Sequence, residues 1–512
     1  MVTLESVSLR PAAANDPLHD GRSVHNAPLD QPLVLDLDQT LLRSDLLVEC
    51  FVAALRRNPF ILFQAILWLA RGKAYLKQKL APYAPDDLDA IPAHDGVVEL
   101  AEREARRGRR VVLATASDEL MARRVAKRFA FIGEVFASDG TKNLKGASKA
   151  ERLAERFPQG FIYAGDSKAD LVVWARAQSA VGVNLQPKTA KALAQLGKPM
   201  LLLNDAKHPA RVLIKAARVK QWAKNALIFI PLFLAGMATD LAAWRDALFA
   251  FFGLGFVASA TYLLNDLFDL ADDRRHWTKR NRPLASGALP IGEGLMLVPV
   301  LALAGFALAA AAGWAVFATV TLYTAITLAY SFHVKRVPIL DVAVLATLFT
   351  LRLFLGVVAI GAVISPWLFV FSMALFLSLS TAKRHTEVVR MALHGKTKTA
   401  GRGYIARDEP MLLALGLAAA MSAVVLFSLY LTAEAFHAAM YTAPGFLWAT
   451  PILLFLWLGR IWLVSQRGEL DDDPVAFALN DKASLALGLM LGLAFGGAIF
   501  GGFALEALPW IA

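Results

Sequence analysis

The sequence is poor in cysteine and in charged residues. Cys50 is the only cysteine among 512 residues, so an internal disulfide is excluded and no oxidising compartment is indicated. Charged residues make up only 19% of the chain and hydrophobic residues 57%, and the length predicts two or more units. Residues 1–30 lack the apolar stretch of a cleavable signal, so we expect a disordered tail there.

The charge is unevenly distributed along the chain. Roughly the first 200 residues are typical of a soluble protein, whereas apolar runs long enough to cross about 30 Å of hydrocarbon dominate the remainder. The formal net charge of +11 suits anionic lipid headgroups or a phosphorylated substrate. Because the cations lie mostly between the apolar runs, we expect no nucleic acid partner. The sequence carries no signal for an oligomeric state.

Polar side chains of the first part follow apolar runs where predicted strands end. A buried strand from residue 31 ends in Asp36 and Asp38, whose alternate spacing puts both carboxylates on one face. Further strands end in Thr115 and Asp166, and a predicted helix begins near Lys149. Because ligands bind at the carboxyl edge of open α/β sheets, we expect these side chains to lie close together.

These motifs resemble, in the right order, the four motifs of the haloacid dehalogenase superfamily of phosphatases over residues 31–187. The resemblance implies a Rossmann-like α/β domain with a helical cap over about residues 46–95. The apolar stretch Phe51 to Leu69 lies in this cap, and residues 56–59 interrupt it. The remaining piece is too short to cross a bilayer, so we expect it to pack within the cap, with a position on the bilayer surface as the alternative.

The resemblance also implies roles for the acidic residues. Asp36 would be the nucleophile, and Asp38 would act as general acid and base. Mg²⁺ would be the cofactor, because a carboxylate can attack phosphorus only if a cation screens the like charges. The residues expected at this metal site are Asp36, Asp38, Asp166 and Asp170.

Two further residues would hold the transferring phosphoryl oxygens, and alternatives exist for both. Thr115 and Lys149 match the family's pattern best. Lys142 and Lys145 compete for the lysine role, and Ser117 competes less strongly with Thr115.

Nine apolar segments follow a predicted linker at residues 188–210, and they predict an all-α membrane bundle. They centre near residues 233, 255, 300, 320, 349, 372, 420, 453 and 495. The loops between them are alternately rich and poor in Lys and Arg, and by the positive-inside rule the rich set is cytoplasmic. We therefore expect a multi-pass protein of the inner (plasma) membrane, with the N-terminal domain in the cytoplasm and the C-terminus outside.

The most informative loop covers residues 265–287. On a helix, Asn265, Asp269 and Asp273 fall at i, i+4 and i+8 along one face, with Asp266 beside them. Several oxygen ligands on one face are what a hard Mg²⁺ needs. Cations for phosphate oxygens follow in the same loop, namely Lys279 and Arg282.

This loop matches the Asn-Asp-x-x-Asp-x-x-x-Asp motif of the UbiA superfamily of membrane prenyltransferases, which the chain resembles over residues 211–512. The nine predicted spans fit that fold. The resemblance implies an enzyme in which Mg²⁺ bound to a diphosphate is held by Asn265, Asp269 and Asp273. The two aspartates would then be catalytic.

The loop after the sixth segment distinguishes branches of that superfamily. Aromatic prenyltransferases carry a second aspartate-rich motif there, but this loop contains Lys383 and Arg384 and no paired aspartates. These cations would hold a phosphate directly. Three further segments, at residues 218–225, 330–336 and 473–481, resemble the decaprenyl-phosphate phosphoribosyltransferases.

That branch implies transfer of a 5-phosphoribosyl group from phosphoribosyl pyrophosphate to a polyprenyl phosphate. The N-terminal domain would then remove the 5-phosphate and leave polyprenyl-phosphoryl ribose. On the donor side the substrate-binding residues would be Asp266, Lys279 and Arg282. Candidates for the lipid phosphate or the sugar phosphate are Lys220, Lys224, Lys335, Arg336, Lys383 and Arg384.

Two alternatives remain open. An aromatic prenyltransferase acting on a polyprenyl diphosphate would share the metal motif. A transporter or scaffold with a regulatory phosphatase-like domain would also fit nine spans. Transport sites usually lie near the bilayer midplane in broken helices, however, whereas the acids here cluster at one end of a span.

Overall fold

The computed structural model describes residues 27–85, 87–138, 143–205, 208–363, 365–395, 402–470, 477–478 and 480–506. Most of the predicted tail and Lys142 lie outside these residues. The chain divides into two compact units. The first unit runs to Ala217 and includes Tyr262–Val298, and the second unit comprises Arg218–Thr261 and the chain from Pro299.

The first unit contains a parallel six-stranded sheet in the order β3-β2-β1-β4-β5-β6. The strands are β1 (Leu33–Leu35), β2 (Val111–Asp118), β3 (Ile132–Ser138), β4 (Ile162–Gly165), β5 (Ser179–Val183) and β6 (Met200–Leu203). Leu33 is in register with Val111 on one side and with Ile162 on the other. The carboxyl ends of β1, β2 and β4 are therefore neighbours, and the predicted α/β fold is confirmed.

Helices cover both faces of the sheet, as a parallel sheet requires. Alternate residues of β1 enter different cores, since Leu33 and Leu35 pack in one apolar cluster and Val34 packs in another. The helices are α1 (Leu46–Arg57), α2 (Ile61–Ala70), α3 (Lys73–Leu80), α4 (Asp95–Arg106), α5 (Glu119–Ala126), α6 (Ala147–Arg156), α7 (Leu171–Arg176), α8 (Pro187–Ala194) and α9 (Pro209–Ala216). The predicted helical insert between the first two strands is thus present as α1, α2 and α3.

The segment interpreted as a linker, residues 188–210, contains regular structure. It includes most of α8 and all of β6, and β6 pairs in parallel with β5. Leu203 is opposite Val183 in this ladder. The sheet therefore extends beyond residue 187.

The remaining helices form the membrane part of the chain. They are α10 (Ile230–Leu234), α11 (Leu241–Phe268), α12 (Leu270–Arg275), α13 (Ile291–Ala312), α14 (Trp314–Phe332), α15 (Leu340–Ile360), α16 (Pro366–Leu393), α17 (Glu409–Ala433), α18 (Ala449–Gln466) and α19 (Lys482–Glu506). Within the described residues, eight helices are long and apolar enough to cross a membrane, namely α11 and α13 to α19. The prediction of a multi-pass membrane protein is therefore supported.

The predicted span near residue 233 is not among these eight. Residues Val219–Phe229 form a 3-10 helix, and the α-helix that follows, α10, has only five residues. Pro231 lies in the first turn of α10, where its missing N–H is tolerated, and Gly236 with φ +69° follows its end. Proline and glycine thus limit this segment to a short helix, and nine spans become eight in the described part of the chain.

Small residues let two spans of the second unit approach closely. A Cβ added at Gly305 of α13 would lie 2.6 Å from the carbonyl oxygen of Gly253 in α11. That distance is inside van der Waals contact, so only glycine fits at this crossing. Small residues are a common means of close helix packing in membranes.

Candidate functional site

Three carboxylates meet at the carboxyl edge of the sheet. Asp36 follows β1, Asp166 follows β4, and Asp170 lies four residues further on. Their oxygens all lie within 4.8 Å of one another, and no other described group of three or more acidic, histidine or cysteine side chains is as close. Three hard oxygen donors at this spacing fit a divalent cation such as Mg²⁺.

Lys149 is the lysine that the structure brings to this cluster. Its Nζ lies 2.9 Å from Oδ1 of Asp36 and donates to the Tyr163 hydroxyl, also at 2.9 Å. Tyr163 in turn donates to Oδ1 of Asp170 at 2.8 Å. Lys145 is exposed, so Lys149 is the better match to the predicted role. Tyr163 was missed because its position in the middle of an apolar strand predicts only core packing.

Burial of these like charges changes their protonation. Burial raises the pKa of Asp36, and the Lys149 ammonium opposes that rise. Burial, together with the charges of Asp36 and Asp170, raises the pKa of Asp166 to about 8. Positive charge at this edge would therefore stabilise the ionised cluster, which is what a bound divalent cation supplies.

Asp38 lies close to the cluster, but its carboxylate accepts hydrogen bonds from residues outside it. Its Oδ1 accepts a hydrogen bond from the backbone N–H of Leu46 at 2.8 Å, and its Oδ2 accepts one from Oγ of Ser117 at 2.6 Å. Burial raises the pKa of Asp38 to about 7. A carboxyl with such a pKa suits general acid and base chemistry near neutral pH.

Thr115 and Ser117, the two candidates for one role, have different surroundings. Thr115 is fully buried within β2, which continues to Asp118 and so ends three residues later than predicted. The Thr115 Oγ1 accepts a hydrogen bond from the Ser117 backbone N–H at 3.0 Å. The Ser117 side chain is committed to Asp38. Thr40, in the same motif as Asp38, donates to Oδ1 of Asp166 at 3.3 Å.

A second polar cluster lies at the end of α11. Asp269 separates α11 from α12, yet backbone hydrogen bonds from Asp269 to Asn265 at 2.9 Å and from Asp273 to Asp269 at 2.8 Å keep the helical spacing. The Asn265 amide donates to Oδ2 of Asp269 at 3.0 Å. The predicted i, i+4, i+8 arrangement is therefore preserved through the break.

Arg282 bridges the two most buried aspartates of this cluster. Its Nη1 donates to Oδ1 of Asp266 at 3.0 Å and to Oδ2 of Asp273 at 2.6 Å. Lys279 is 4.0 Å from the other oxygen of Asp273. Burial raises the pKa of Asp273, and the Arg282 guanidinium opposes the rise. The cations predicted to bind phosphate thus contact the acidic motif in this structure.

The same loop contacts the cap within the first unit. Arg274 donates to both carboxylate oxygens of Glu49, at 3.1 and 2.6 Å, and Ser44 also donates to Glu49. Two exposed ion pairs accompany it, Arg56 with Asp272 at 3.0 Å and Arg275 with Asp87 at 2.8 Å. The sequence pattern gave no sign of these pairs, because the partners are about 190 to 225 residues apart.

In the second unit, Arg384 belongs to a buried ionic network. Its Nε donates to Asp341 at 2.6 Å, its Nη1 donates to both oxygens of Glu387 at 2.7 and 2.8 Å, and its Nη2 donates to Tyr330 at 3.1 Å. Arg402 pairs with the same carboxylates at 3.7 and 3.5 Å. The guanidinium predicted to hold phosphate is therefore already engaged by protein acceptors.

The neighbouring Lys383 is different. It is partly buried on α16, and among the described residues the structure records no ion pair for its ammonium. The other basic residues predicted to bind substrate differ in their exposure. Lys220 and Arg336 are exposed, and Lys335 is partly buried.

Lys224 lies over an aromatic ring next to a network that the sequence did not reveal. Its Nζ is 5.7 Å from the centre of the Phe349 ring, and the Arg352 guanidinium is 5.2 Å from the same ring. Arg352 donates to Oδ1 of Asn225 at 3.1 Å and to the Tyr323 hydroxyl at 2.6 Å. The buried Asn225 amide nitrogen has no partner among the described residues.

The second unit also contains a large apolar cavity of about 880 Å³. Aromatic and aliphatic side chains line almost all of it, including Phe233, Leu368, Phe427, Trp457 and Phe495. An apolar cavity of this size accommodates a hydrocarbon chain.

Residues 226–483 match the UbiA prenyltransferase family, and residues 33–173 match the haloacid dehalogenase-like hydrolases. A Sinorhizobium fredii protein described as "Uncharacterized protein y4nM" is 40% identical over 465 residues, 91% of this chain and 90% of its own length. The decaprenyl-phosphate phosphoribosyltransferase of Corynebacterium glutamicum is 36% identical over 232 residues, 43% of this chain and 67% of its own length. A UbiA homolog from Archaeoglobus fulgidus bound to GPP and Mg²⁺ covers 57% of this chain and 98% of its own, with 17% identity and a TM-score of 0.43.

Proposed function

Since the chain belongs to the UbiA prenyltransferase family and carries an N-terminal haloacid dehalogenase-like domain, we propose that it makes a phosphorylated sugar lipid in two steps. The membrane domain would transfer a 5-phosphoribosyl group from phosphoribosyl pyrophosphate to a polyprenyl phosphate. The N-terminal domain, on the cytoplasmic side, would then remove the 5-phosphate. The name of the Corynebacterium glutamicum relative supports the first step.

The observation that carries the choice of substrate is the environment of Lys383. A polyprenyl phosphate needs a cation for its headgroup, whereas a second acidic cluster would suit an additional metal-bound diphosphate. Lys383 is partly buried, and its ammonium forms no ion pair with any described residue. The adjacent Arg384 guanidinium, in contrast, already donates hydrogen bonds to Asp341, Glu387 and Tyr330. We therefore assign the phosphate contact to Lys383 and a positioning role to Arg384.

The donor pyrophosphate is assigned to the cluster at the end of α11. Asn265 and Asp269 offer oxygen atoms one helical turn apart, and Asp273 continues the same face. When bound there, Mg²⁺ would neutralise the departing pyrophosphate. Arg282, which now contacts Asp266 and Asp273, would turn toward phosphate oxygens, for which its planar guanidinium is equally suited.

The transfer step needs no reactant besides the phosphosugar donor and the lipid phosphate. The bond between ribose C1 and the pyrophosphate oxygen breaks, and a phosphate oxygen of the lipid forms the new bond to C1. Positive charge develops at C1 in between, so preorganised charges around the pyrophosphate lower the barrier. The apolar cavity of the second unit would receive the polyprenyl chain.

The phosphatase step follows from the Asp36 cluster. The Asp36 carboxylate attacks phosphorus, the ester oxygen of the sugar leaves, and Asp38 donates a proton to it. Water then releases phosphate from Asp36 and returns a proton to Asp38. Lys149, 2.9 Å from Asp36, would neutralise charge on the phosphoryl oxygens, and Thr115 would position them. Asp166 and Asp170 complete the site that would hold Mg²⁺ with Asp36.

The two steps can be tested on the purified full-length protein with labelled phosphoribosyl pyrophosphate and a polyprenyl phosphate. We expect the wild type to yield the dephosphorylated lipid. The variant Asp269→Ala should yield no labelled lipid, and Asp36→Asn should accumulate the 5-phosphorylated lipid. Asp272→Ala serves as a matched control, because Asp272 is exposed and points its carboxylate at Arg56.

Absence of labelled lipid from the wild type would overturn the transferase assignment. Transfer of a prenyl group from a polyprenyl diphosphate to an aromatic acid, without use of the phosphosugar, would assign the chain to the aromatic branch instead. Normal formation of the dephosphorylated lipid by Asp36→Asn would contradict only the second step.

A further inference from the structure

Helix α2 of the cap presents an apolar face to its surroundings. Ile61 and Ala65 point into the cap and are buried. Phe63, Ile66 and Leu67, in contrast, are 65%, 62% and 68% exposed. Other large apolar side chains exposed on or next to this helix are Phe60, Leu62 and Leu69. The expectation that this stretch packs within the cap therefore holds for only one side of the helix.

The sequence on either side of α2 carries charge of one sign. Between Cys50 and Pro85 the chain contains six Lys and Arg residues and no Asp or Glu. Arg57 and Arg71 flank the helix directly, and both are exposed. Clustered cations beside an exposed apolar face complement an anionic lipid surface, which offers both headgroup charge and hydrocarbon.

Helix α1, which precedes α2, contacts the segment that follows the candidate span α11. Arg56 contacts Asp272 at 3.0 Å, and Arg274 binds Glu49 of α1 through two hydrogen bonds. Asp272 lies four residues after Phe268, the last residue of the candidate span α11. Helix α2 begins only five residues after Arg56, so it starts close to where the chain emerges from the bilayer.

The length of α2 decides how it would meet a bilayer. Ten residues at about 1.5 Å each make a helix of roughly 15 Å, half of the ~30 Å hydrocarbon thickness. A helix this short, with an apolar face and cationic flanks, lies in the interface plane and does not span.

We propose that α2 is a membrane-surface anchor of the phosphatase-like unit. Its apolar face, centred on Phe63 and Leu67, inserts into the leaflet from which α11 emerges, and the flanking cations bind anionic headgroups. The inference does not depend on either proposed activity.

The anchor can be tested with a fluorescent probe on the full-length protein in nanodiscs. Cys50 is buried, so the introduced cysteine in Leu67→Cys is the accessible site for an NBD maleimide. Leu120→Cys is the matched control, because Leu120 is 75% exposed on α5 in the same unit. Labelled wild type reports any background from Cys50. Nanodiscs contain lipids with a nitroxide at acyl carbon 5, with or without anionic lipid.

The expected result is a blue-shifted emission at position 67 and a severalfold stronger nitroxide quenching than at position 120. Quenching at position 67 should weaken when anionic lipid is omitted. Equal quenching at the two positions would overturn the proposal. A blue shift at position 67 without quenching would mean that α2 packs against protein, such as a second copy of the chain, and would overturn it equally.

Discussion

Arg274 and Glu49 form a buried ion pair with two hydrogen bonds between the acidic motif loop and the cap. The side chains are 5% and 2% exposed, and the residues are 225 positions apart. Arg274 directly follows Asp273, the last acid of the motif. A change in the cap at Glu49 is therefore mechanically connected to the residues proposed to bind the donor.

This connection predicts that Glu49→Ala damages the transferase although Glu49 lies in the phosphatase-like part. Removing one partner leaves a buried, uncompensated guanidinium, which typically costs about 3–5 kcal/mol. We expect a lower thermal midpoint and a reduced kcat for phosphoribosyl transfer. Asp272→Ala is the control, because Asp272 of the same loop forms an exposed pair with Arg56 of the cap, and exposed pairs contribute about 0–1 kcal/mol. Equal losses in the two variants would contradict the connection.

Substitution of Lys149 and of Lys145 should have very different effects on phosphatase activity. Lys149→Met removes the ammonium that contacts Asp36 at 2.9 Å, and loss of one preorganised charge commonly lowers kcat about a hundredfold or more. Lys145 is exposed, so Lys145→Met should retain activity. Release of inorganic phosphate measures this step. Formation of labelled lipid by both variants verifies that the chains are folded.

The carboxylate cluster predicts that Mg²⁺ binding strengthens with pH. The pKa of Asp166 is about 8 in the folded, metal-free protein, above its ordinary value of 3.8. A raised pKa means that the proton stabilises the fold fully below about pH 4, and that this contribution is lost as the pH rises toward 8. Mg²⁺ competes with that proton, so its affinity should increase from pH 5.5 to pH 8.

Titration calorimetry of the Asp269→Ala variant isolates this first metal site from the one proposed on α11. The double variant Asp269→Ala, Asp166→Asn should bind Mg²⁺ more weakly and with less dependence on pH. An affinity that is the same at both pH values in the single variant would contradict the assignment.

Neighbouring cations on α16 should respond differently to the same substitution. Lys383→Met should leave the fold intact and raise the KM for the polyprenyl phosphate tenfold or more, because a charge-assisted phosphate contact is lost. Arg384→Met should destabilise the protein, since Asp341 is fully buried and would lose its principal partner. Thermal unfolding in detergent, alongside the KM, distinguishes the two. A folded Lys383→Met protein with an unchanged KM would contradict the phosphate assignment.

The sequence predicted the sheet edge well because its polar residues follow strands. Asp36, Thr115 and Asp166 each come directly at the end of an apolar run, and parallel strands place such positions side by side. The helical spacing of Asn265, Asp269 and Asp273 was predictable for a similar reason, since one period describes them all.

What the sequence could not predict depends on pairs that are distant in the chain. Arg384 has the pattern of a phosphate ligand until Asp341, 43 residues earlier, is known to contact it. No periodicity links Glu49 with Arg274. The stretch near residue 233 was misassigned because its apolar length was counted without the local effects of Pro231 and Gly236.

The length of helix α16 predicts that activity depends on the thickness of the membrane. Its 28 residues make it roughly 42 Å long at 1.5 Å per residue, about 12 Å more than a typical hydrocarbon core. Lys383 lies about 26 Å from the Pro366 end by the same rule. Hydrophobic mismatch would therefore draw its ammonium into the acyl region in thick bilayers and expose it to water in thin ones. Turnover of a headgroup held by Lys383 should accordingly have an optimum in lipid chain length.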